Sequence, residues 1–139
     1  MKTCRLCVVG AGKMANAVHY PSLAAMEDVQ ITGIADLDPT RLQQTAITYG
    51  VSHTDSDYRC MIENERPDGV FVIAPPHQSY DIVLWCLNQG LPVFCEKPLG
   101  LNYHQAMMLA DMAENRGVIT QVGHQRRSSP LLNRLLNAC

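Results

Sequence analysis

Three stretches of this chain hold residue types at spacings that could do chemistry. The first is Gly10-Ala11-Gly12-Lys13-Met14-Ala15, which follows the apolar run of residues 6–9. A strand that ends in G-x-G-x-x-A and opens a helix can cradle a pyrophosphate. Gly10 tolerates the positive φ of a sharp turn. Gly12 has no side chain to hold a phosphate off the backbone, and Ala15 is small enough for close helix–strand packing. The helix that opens at Lys13 and Met14 would point free N–H groups and the positive end of its dipole at the phosphates. The second is Asp36, at the end of the strand-like run 30–35. It follows Ala15 at about the 20-residue spacing of an acid that holds the adenosine ribose hydroxyls. The third is Glu96-Lys97-Pro98, a carboxylate and an ammonium set before a fixed proline.

Taken alone, each has a plainer reading. A glycine turn can join any strand to any helix, and Glu96-Lys97 can be a solvated ion pair. Asp36 could be a helix cap, but Asp38-Pro39 already supplies one, with Pro39 at the first helical position. Turn, helix, strand and acid together point to nucleotide binding. A 2′-phosphate about 4 Å from Asp36 would cost roughly 4 kcal/mol per unit charge at an effective dielectric of 20. NAD is therefore the expected cofactor and NADP the less favoured one. Arg41 is the nearby cation, expected a turn or more into the next helix.

The elements that must position these residues alternate strand and helix along the chain. Strands are expected at 5–9, 30–35, 51–54, 69–73, 92–95 and 118–122. Helices are expected at 12–26 and 39–49, from a cap at Asp55 or Ser56 with Tyr58, Met61 and Ile62 on one face, then up to Gly90, and at 102–115. The fourth carries Tyr80, Val83, Leu84 and Leu87, and the fifth Ala106, Leu109, Ala110 and Ala113, at helical spacing. Residues 69–73 form a continuous apolar run, as in a parallel strand buried on both faces. Right-handed crossovers then give an α/β fold: a doubly wound parallel sheet, three layers αβα, with ligands at the carboxyl ends of its strands.

Composition narrows the function classes. The chain has 139 residues and a formal net charge of −2, enough for one domain that buries about two-thirds of its unfolded surface. Acids and bases are interspersed, which gives no nucleic-acid footprint. No apolar run reaches the 18 or so residues of a membrane span, and the first strand begins without a signal-like segment. A cytoplasmic location is expected. Cys4 and Cys7 lie in strand one, where residues three apart face opposite sides, so neither a local disulfide nor a metal clip is expected. Cys60, Cys86 and Cys95 read as small core residues. The histidines show no metal-ligand spacing, and no metal site is expected.

With Ala74-Pro75-Pro76 and Gly123-His124-Gln125-Arg126-Arg127-x-x-Pro130 added to these stretches, the sequence resembles the Gfo/Idh/MocA oxidoreductases over nearly its whole length. The resemblance implies a Rossmann fold and hydride transfer between a nicotinamide cofactor and a hydroxyl or carbonyl of a sugar or cyclitol. It implies that Lys97 sits beside the nicotinamide and the reacting carbon, where an ammonium can bond the substrate oxygen and stabilise negative charge. Glu96 would hold the loop or contact the cofactor, and Ala74, Pro75, His77 and Arg127 would line the cofactor region. Two positions depart from the family pattern: Ala74 where threonine is common, and Ser79 where histidine is.

Family members continue for some two hundred residues more, into a substrate-binding domain. The expected division is 1–124, a dinucleotide-binding domain, and 125–139, a linker and the start of that further domain, with helical character over 131–139. Little turnover is expected from the chain alone. A non-catalytic NAD-binding sensor is the alternative, and a non-binding remnant a third reading. A polyol or sugar-like small molecule is the expected partner. Monomer and homo-oligomer are both compatible with the sequence.

Overall fold

A computed structural model describes residues 3–130 and Arg134. The apolar run forms β1 (Cys4–Val9). A π-helical turn (Ala15–His19) then leads into α1 (Tyr20–Ala24). The expected continuous α-helix over 12–26 is thus corrected. Pro21 has no N–H and its ring crowds the carbonyl four residues back. The preceding turn widens, with the Tyr20 N–H bonded to the Ala15 carbonyl. The chain goes on through β2 (Val29–Ala35), α2 (Pro39–Tyr49), β3 (His53–Asp55), α3 (Tyr58–Glu65) and β4 (Gly69–Val72). It closes with α4 (Pro76–Asn88), β5 (Val93–Cys95), α5 (Tyr103–Arg116) and β6 (Thr120–Val122).

Side-chain caps set the helix starts. Asp38 accepts from the Thr40 and Arg41 N–H groups at the head of α2. Asn102 accepts from the Gln105 N–H at the head of α5. Asp57, rather than Asp55 or Ser56, caps α3 by accepting from the Arg59 N–H. Asp55 instead ends β3, and its carboxylate takes the Asp57 N–H. Gly50 ends α2 in the left-handed conformation, φ 66°, as its sequence position implies. The helical segment expected over 131–139 lies outside the described residues apart from Arg134.

Among the described residues the six strands form one sheet and are all parallel, in the order β3-β2-β1-β4-β5-β6. The order reverses between β1 and β4, and a crevice opens there at the strands' carboxyl ends. Two cores fill the two faces. Leu6, Val8 and Ile34 pack with Ala15, Tyr20, Leu23, Leu42 and Ala46 beneath α1 and α2. Cys7, Val70, Val72, Val93 and Cys95 pack with Met61, Val83, Leu87 and Leu109 beneath α3, α4 and α5. This is the expected three-layer doubly wound sheet. On the α1 side Phe94 stacks on Phe71 with ring centroids 4.6 Å apart and stays half-buried.

Some side chains face otherwise than their spacing implies. In α4 the buried face is Ser79, Ile82, Val83, Cys86 and Leu87; Tyr80 and Leu84 are half-buried at its margin. Ala110 of α5 is exposed, and only Leu109 and Ala113 of that helix are buried. Cys86 and Cys95 are buried as expected, but Cys60 is exposed. Burial pushes the Cys86 thiol up to about 12 and the Cys95 thiol to about 11, so both act as apolar packing groups. Among the described residues, no helix is long and apolar enough to cross a membrane.

Candidate functional site

The glycine turn after β1 is built to close limits. Gly10 takes φ +113°, and a Cβ there would collide with the backbone carbonyl of Ile73. No other residue fits that position without moving β1 from the end of β4. A Cβ on Gly12, by contrast, would meet nothing within 4 Å. The vacant space beside Gly12 belongs to a cleft of about 540 Å³, whose walls include Gly10, Asp36, Arg41, Ala74, Pro75 and His77. Ala15 is completely buried against the sheet, as its small size implies.

The carbonyls of this turn are tied back by side chains. The Tyr20 hydroxyl donates to the Gly10 carbonyl at 3.0 Å. Burial, with Asp36 nearby, pushes the Tyr20 phenol up, which keeps it a donor. The Asn16 amide donates to the carbonyls of Ala11, at 2.8 Å, and Gly12, at 3.2 Å. It is held in turn by Thr45, 3.0 Å away. With the carbonyls occupied, the first-turn N–H groups, which no intrahelical carbonyl takes, are left for an anion. Tyr20 and Asn16 carry no sequence signal of their own. Their roles follow from where the helix lays them.

Asp36 bridges the turn and α2. Its Oδ2 accepts the Ala11 N–H at 2.6 Å, and its Oδ1 accepts the Asp38 N–H at 2.8 Å and an Arg41 N–H at 3.0 Å. Burial alone would push its carboxyl up. The Asp38 and Ala11 N–H groups and the Arg41 guanidinium outweigh that and hold it below the usual carboxylate range. Arg41 therefore sits in the first turn of α2, closer than its sequence position implied, and pairs with the acid. Ser56, Tyr58 and Arg59 line the same cleft and went unrecognised in the sequence.

The remaining expected site residues fall elsewhere. Lys13 and Met14 are exposed in the first helical turn. Glu96 and Arg127 line a second cleft of about 580 Å³ on the α1 side of β5 and β6, with His19, Phe94, Gln121 and His124. The Glu96 Oε1 lies 2.8 Å from His19 Nε2, so this carboxylate holds its loop. Lys97 precedes Pro98 across a cis peptide bond and is exposed. Its ammonium has no hydrogen bond or ion pair among the described residues, and it lines neither cleft. Ser79 is 3% exposed and its hydroxyl has no partner among them.

Comparison with known proteins bears on this geometry. The Gfo/Idh/MocA family, an oxidoreductase family with an NAD-binding Rossmann fold, matches residues 4–124. The rhizopine catabolism protein MocA of Rhizobium meliloti is 36% identical over 132 residues, which are 94% of this chain and 40% of that protein. The myo-inositol 2-dehydrogenase of Thermotoga maritima is 28% identical over 88% of this chain and 36% of its own. The crystal structure of the myo-inositol 2-dehydrogenase of Lactobacillus plantarum superposes with a TM-score of 0.89 at 27% identity, over 99% of this chain and 42% of that one. The chain thus spans about 40% of the length of the relatives it matches. The glycine turn, the acid at the end of β2 and the family match agree: the chain belongs to the Gfo/Idh/MocA oxidoreductases and carries their NAD-binding Rossmann fold.

Proposed function

We propose that this chain is the dinucleotide-binding part of an oxidoreductase acting between NAD and a hydroxyl or carbonyl carbon of a cyclitol or sugar-like molecule, with NAD preferred over NADP. The observation that carries the reading is the pairing of the open space beside Gly12 with a carboxylate, Asp36, on the wall of the same cleft. A pyrophosphate needs close approach to backbone N–H groups, and a ribose diol needs an acceptor. Both requirements are met by groups along one cleft.

Gly10, Gly12, Lys13, Met14 and Ala15 would hold the pyrophosphate through the turn and the helix start, and Asp36 and Arg41 would flank the adenosine ribose. Ala74, Pro75 and His77 would form the wall at the end of β4. When bound, the nicotinamide supplies the hydride donor or acceptor. Lys97 would bond the substrate oxygen and stabilise the charge that develops on it. Arg127 would help to hold the cofactor and Glu96 to fix the loop. The substrate class is supported by the names of the relatives, which include inositol dehydrogenases.

Residues 1–124 would form the nucleotide-binding unit, and 125–139 would lead into a substrate-binding domain like the remaining length of the relatives. The exposure of Lys97 supports that division, because a reacting centre must be closed from water and its substrate oriented by further groups. Fusing this chain to the C-terminal region of a relative tests the reading. The fusion should reduce NAD in the presence of inositols, and Lys97→Ala should abolish this. A folded, NAD-binding fusion with no turnover on any polyol would contradict it.

A further inference from the structure

His19 ends the widened turn after the glycine motif, and Tyr20 opens α1 beside it. Tyr20 stacks on Tyr49, centroids 5.1 Å apart, and bonds the Gly10 carbonyl. His19 packs against the aromatic rings of β4 and β5. Its ring lies edge-on to Phe71 and tilted against Phe94, with centroids 6.2 and 5.3 Å away. Its Nε2 meets Glu96 Oε1 at 2.8 Å, across 77 residues of sequence. Both side chains are nearly buried, 10% and 11% exposed. A carboxylate only accepts, so Nε2 carries the hydrogen and donates it.

Glu96 has little freedom left. Its backbone N–H donates to the Val72 carbonyl at 3.1 Å, which extends the β5–β4 pairing. Its Oε2 accepts the Lys97 N–H at 3.2 Å. Gly123, just after β6, leaves it only enough room, since a Cβ there would lie 3.2 Å from Oε1. The backbone that carries Lys97 is therefore fixed to the sheet through Val72 and to the nucleotide-binding helix through His19. The ammonium itself has no partner among the described residues. Where it points depends on how the loop is held.

We propose that His19 is a positioning residue: its hydrogen bond to Glu96 sets the Lys97 loop against the nicotinamide end of the bound dinucleotide. The inference rests on the role given to Lys97 above. It assigns to one buried histidine the link between the phosphate-binding turn and the reacting end of the site. It also makes Glu96 part of the support rather than a cofactor contact. His19 supplies a directed N–H and a ring that fills the gap between the two phenylalanines. The first is the positioning function and the second is packing, and they can be separated by substitution.

His19→Gln keeps a donor near the place of Nε2 and gives up the ring. His19→Phe keeps the ring and gives up the donor. The lysines of the chain are Lys2, Lys13 and Lys97, so reductive ¹³C-methylation gives a simple spectrum in which Lys97 is identified by Lys97→Arg. In the unsubstituted chain NADH should shift the Lys97 resonance, and ADP-ribose, which lacks the nicotinamide, should not. His19→Gln should keep that response. His19→Phe should lose it, with NADH and ADP-ribose affinities both within about twofold of the parent, since the lost bond lies within the chain and counts toward folding rather than binding. Glu96→Met, which removes the acceptor at similar volume, should reproduce His19→Phe and serves if that variant does not fold. An intact Lys97 response in His19→Phe, or its loss in His19→Gln alone, would overturn the proposal in favour of a packing role. A parent chain that binds ADP-ribose but shows no Lys97 response to NADH would instead overturn the role of Lys97 itself, and this inference with it.

Discussion

The Asp36 carboxylate accepts the Ala11 N–H at 2.6 Å, which ties the acid after β2 to the glycine turn after β1. One side chain thus serves two purposes: it braces the turn and faces the cleft where a ribose would lie. Its Oδ1 is also held by Asp38 and Arg41, so a ribose diol would compete with Arg41 for that oxygen.

Replacing Asp36 by Ala should cost both binding and stability. It leaves the Ala11 N–H without its acceptor, at about 1–3 kcal/mol if no water replaces it. Thermal unfolding should move down accordingly. NAD affinity should fall and the discrimination against NADP should relax. An unchanged ratio of the two affinities would contradict the role of the carboxylate.

The acid limb of stability should report the same group. The carboxyl of Asp36 is held below its ordinary value in the folded chain, so folding is favoured wherever that carboxyl is ionised in both states. The contribution is complete above the unfolded value, near 3.9, and is lost as pH falls through the lower folded value. Glu65, hydrogen-bonded to His53, is also held down and adds to the same limb. Denaturant unfolding between about pH 2 and 5 should therefore show a shallower pH dependence in Asp36→Asn than in the parent. Equal slopes would show that Asp36 is not held down.

Gly10 and Gly12 should separate fold from function. Gly10→Ala places a Cβ on the Ile73 carbonyl at φ +113° and should destabilise the chain by about 2 kcal/mol or more. Gly12→Val places its side chain in open space. Its unfolding free energy should stay within about 0.5 kcal/mol of the parent, while dinucleotide affinity falls at least about tenfold because the pyrophosphate loses its approach. Tight NAD binding by Gly12→Val would remove the turn from the site.

Arg41 should soften the selectivity that Asp36 imposes. It lies 3.0 Å from that carboxylate and offsets part of its repulsion of a 2′-phosphate. Arg41→Ala should widen the preference for NAD over NADP by about tenfold, a reasonable share of a screened charge pair. A narrowed preference would show that Arg41 is not the offsetting charge.

Lys97→Ala should leave NAD affinity within about twofold, since an exposed, unpaired ammonium holds little of the binding energy. A large loss of affinity would make Lys97 a binding group rather than a reacting one.

What was legible in the sequence is what local spacing controls. The glycine turn, Asp36 and the strand–helix alternation depend on residues within one βαβ unit, and the helix stop at Gly50 depends on a single φ. The widened turn at Ala15–His19 was hidden because it changes hydrogen bonding without changing the apolar pattern. The His19–Glu96 bond joins residues 77 apart, and nothing in either local sequence marks the other as a partner. Cys60 and Ala110 sit at plausible core spacings but on the outer faces of short amphipathic helices, where a period of 3.6 leaves the exact facing to tertiary packing. The helix start at Pro39 was legible, but that the Arg41 side chain reaches back from the first turn of α2 to Asp36 is set by its rotamer and not by its place in the sequence.

The most direct test is calorimetric titration of the folded 139-residue chain with NAD and with NADP at near-physiological salt. Saturable NAD binding, with NADP at least about tenfold weaker as a carboxylate facing a 2′-phosphate requires, is the expected result. No binding of either cofactor by a chain shown to be folded, or binding of NADP as tight as that of NAD, would contradict it.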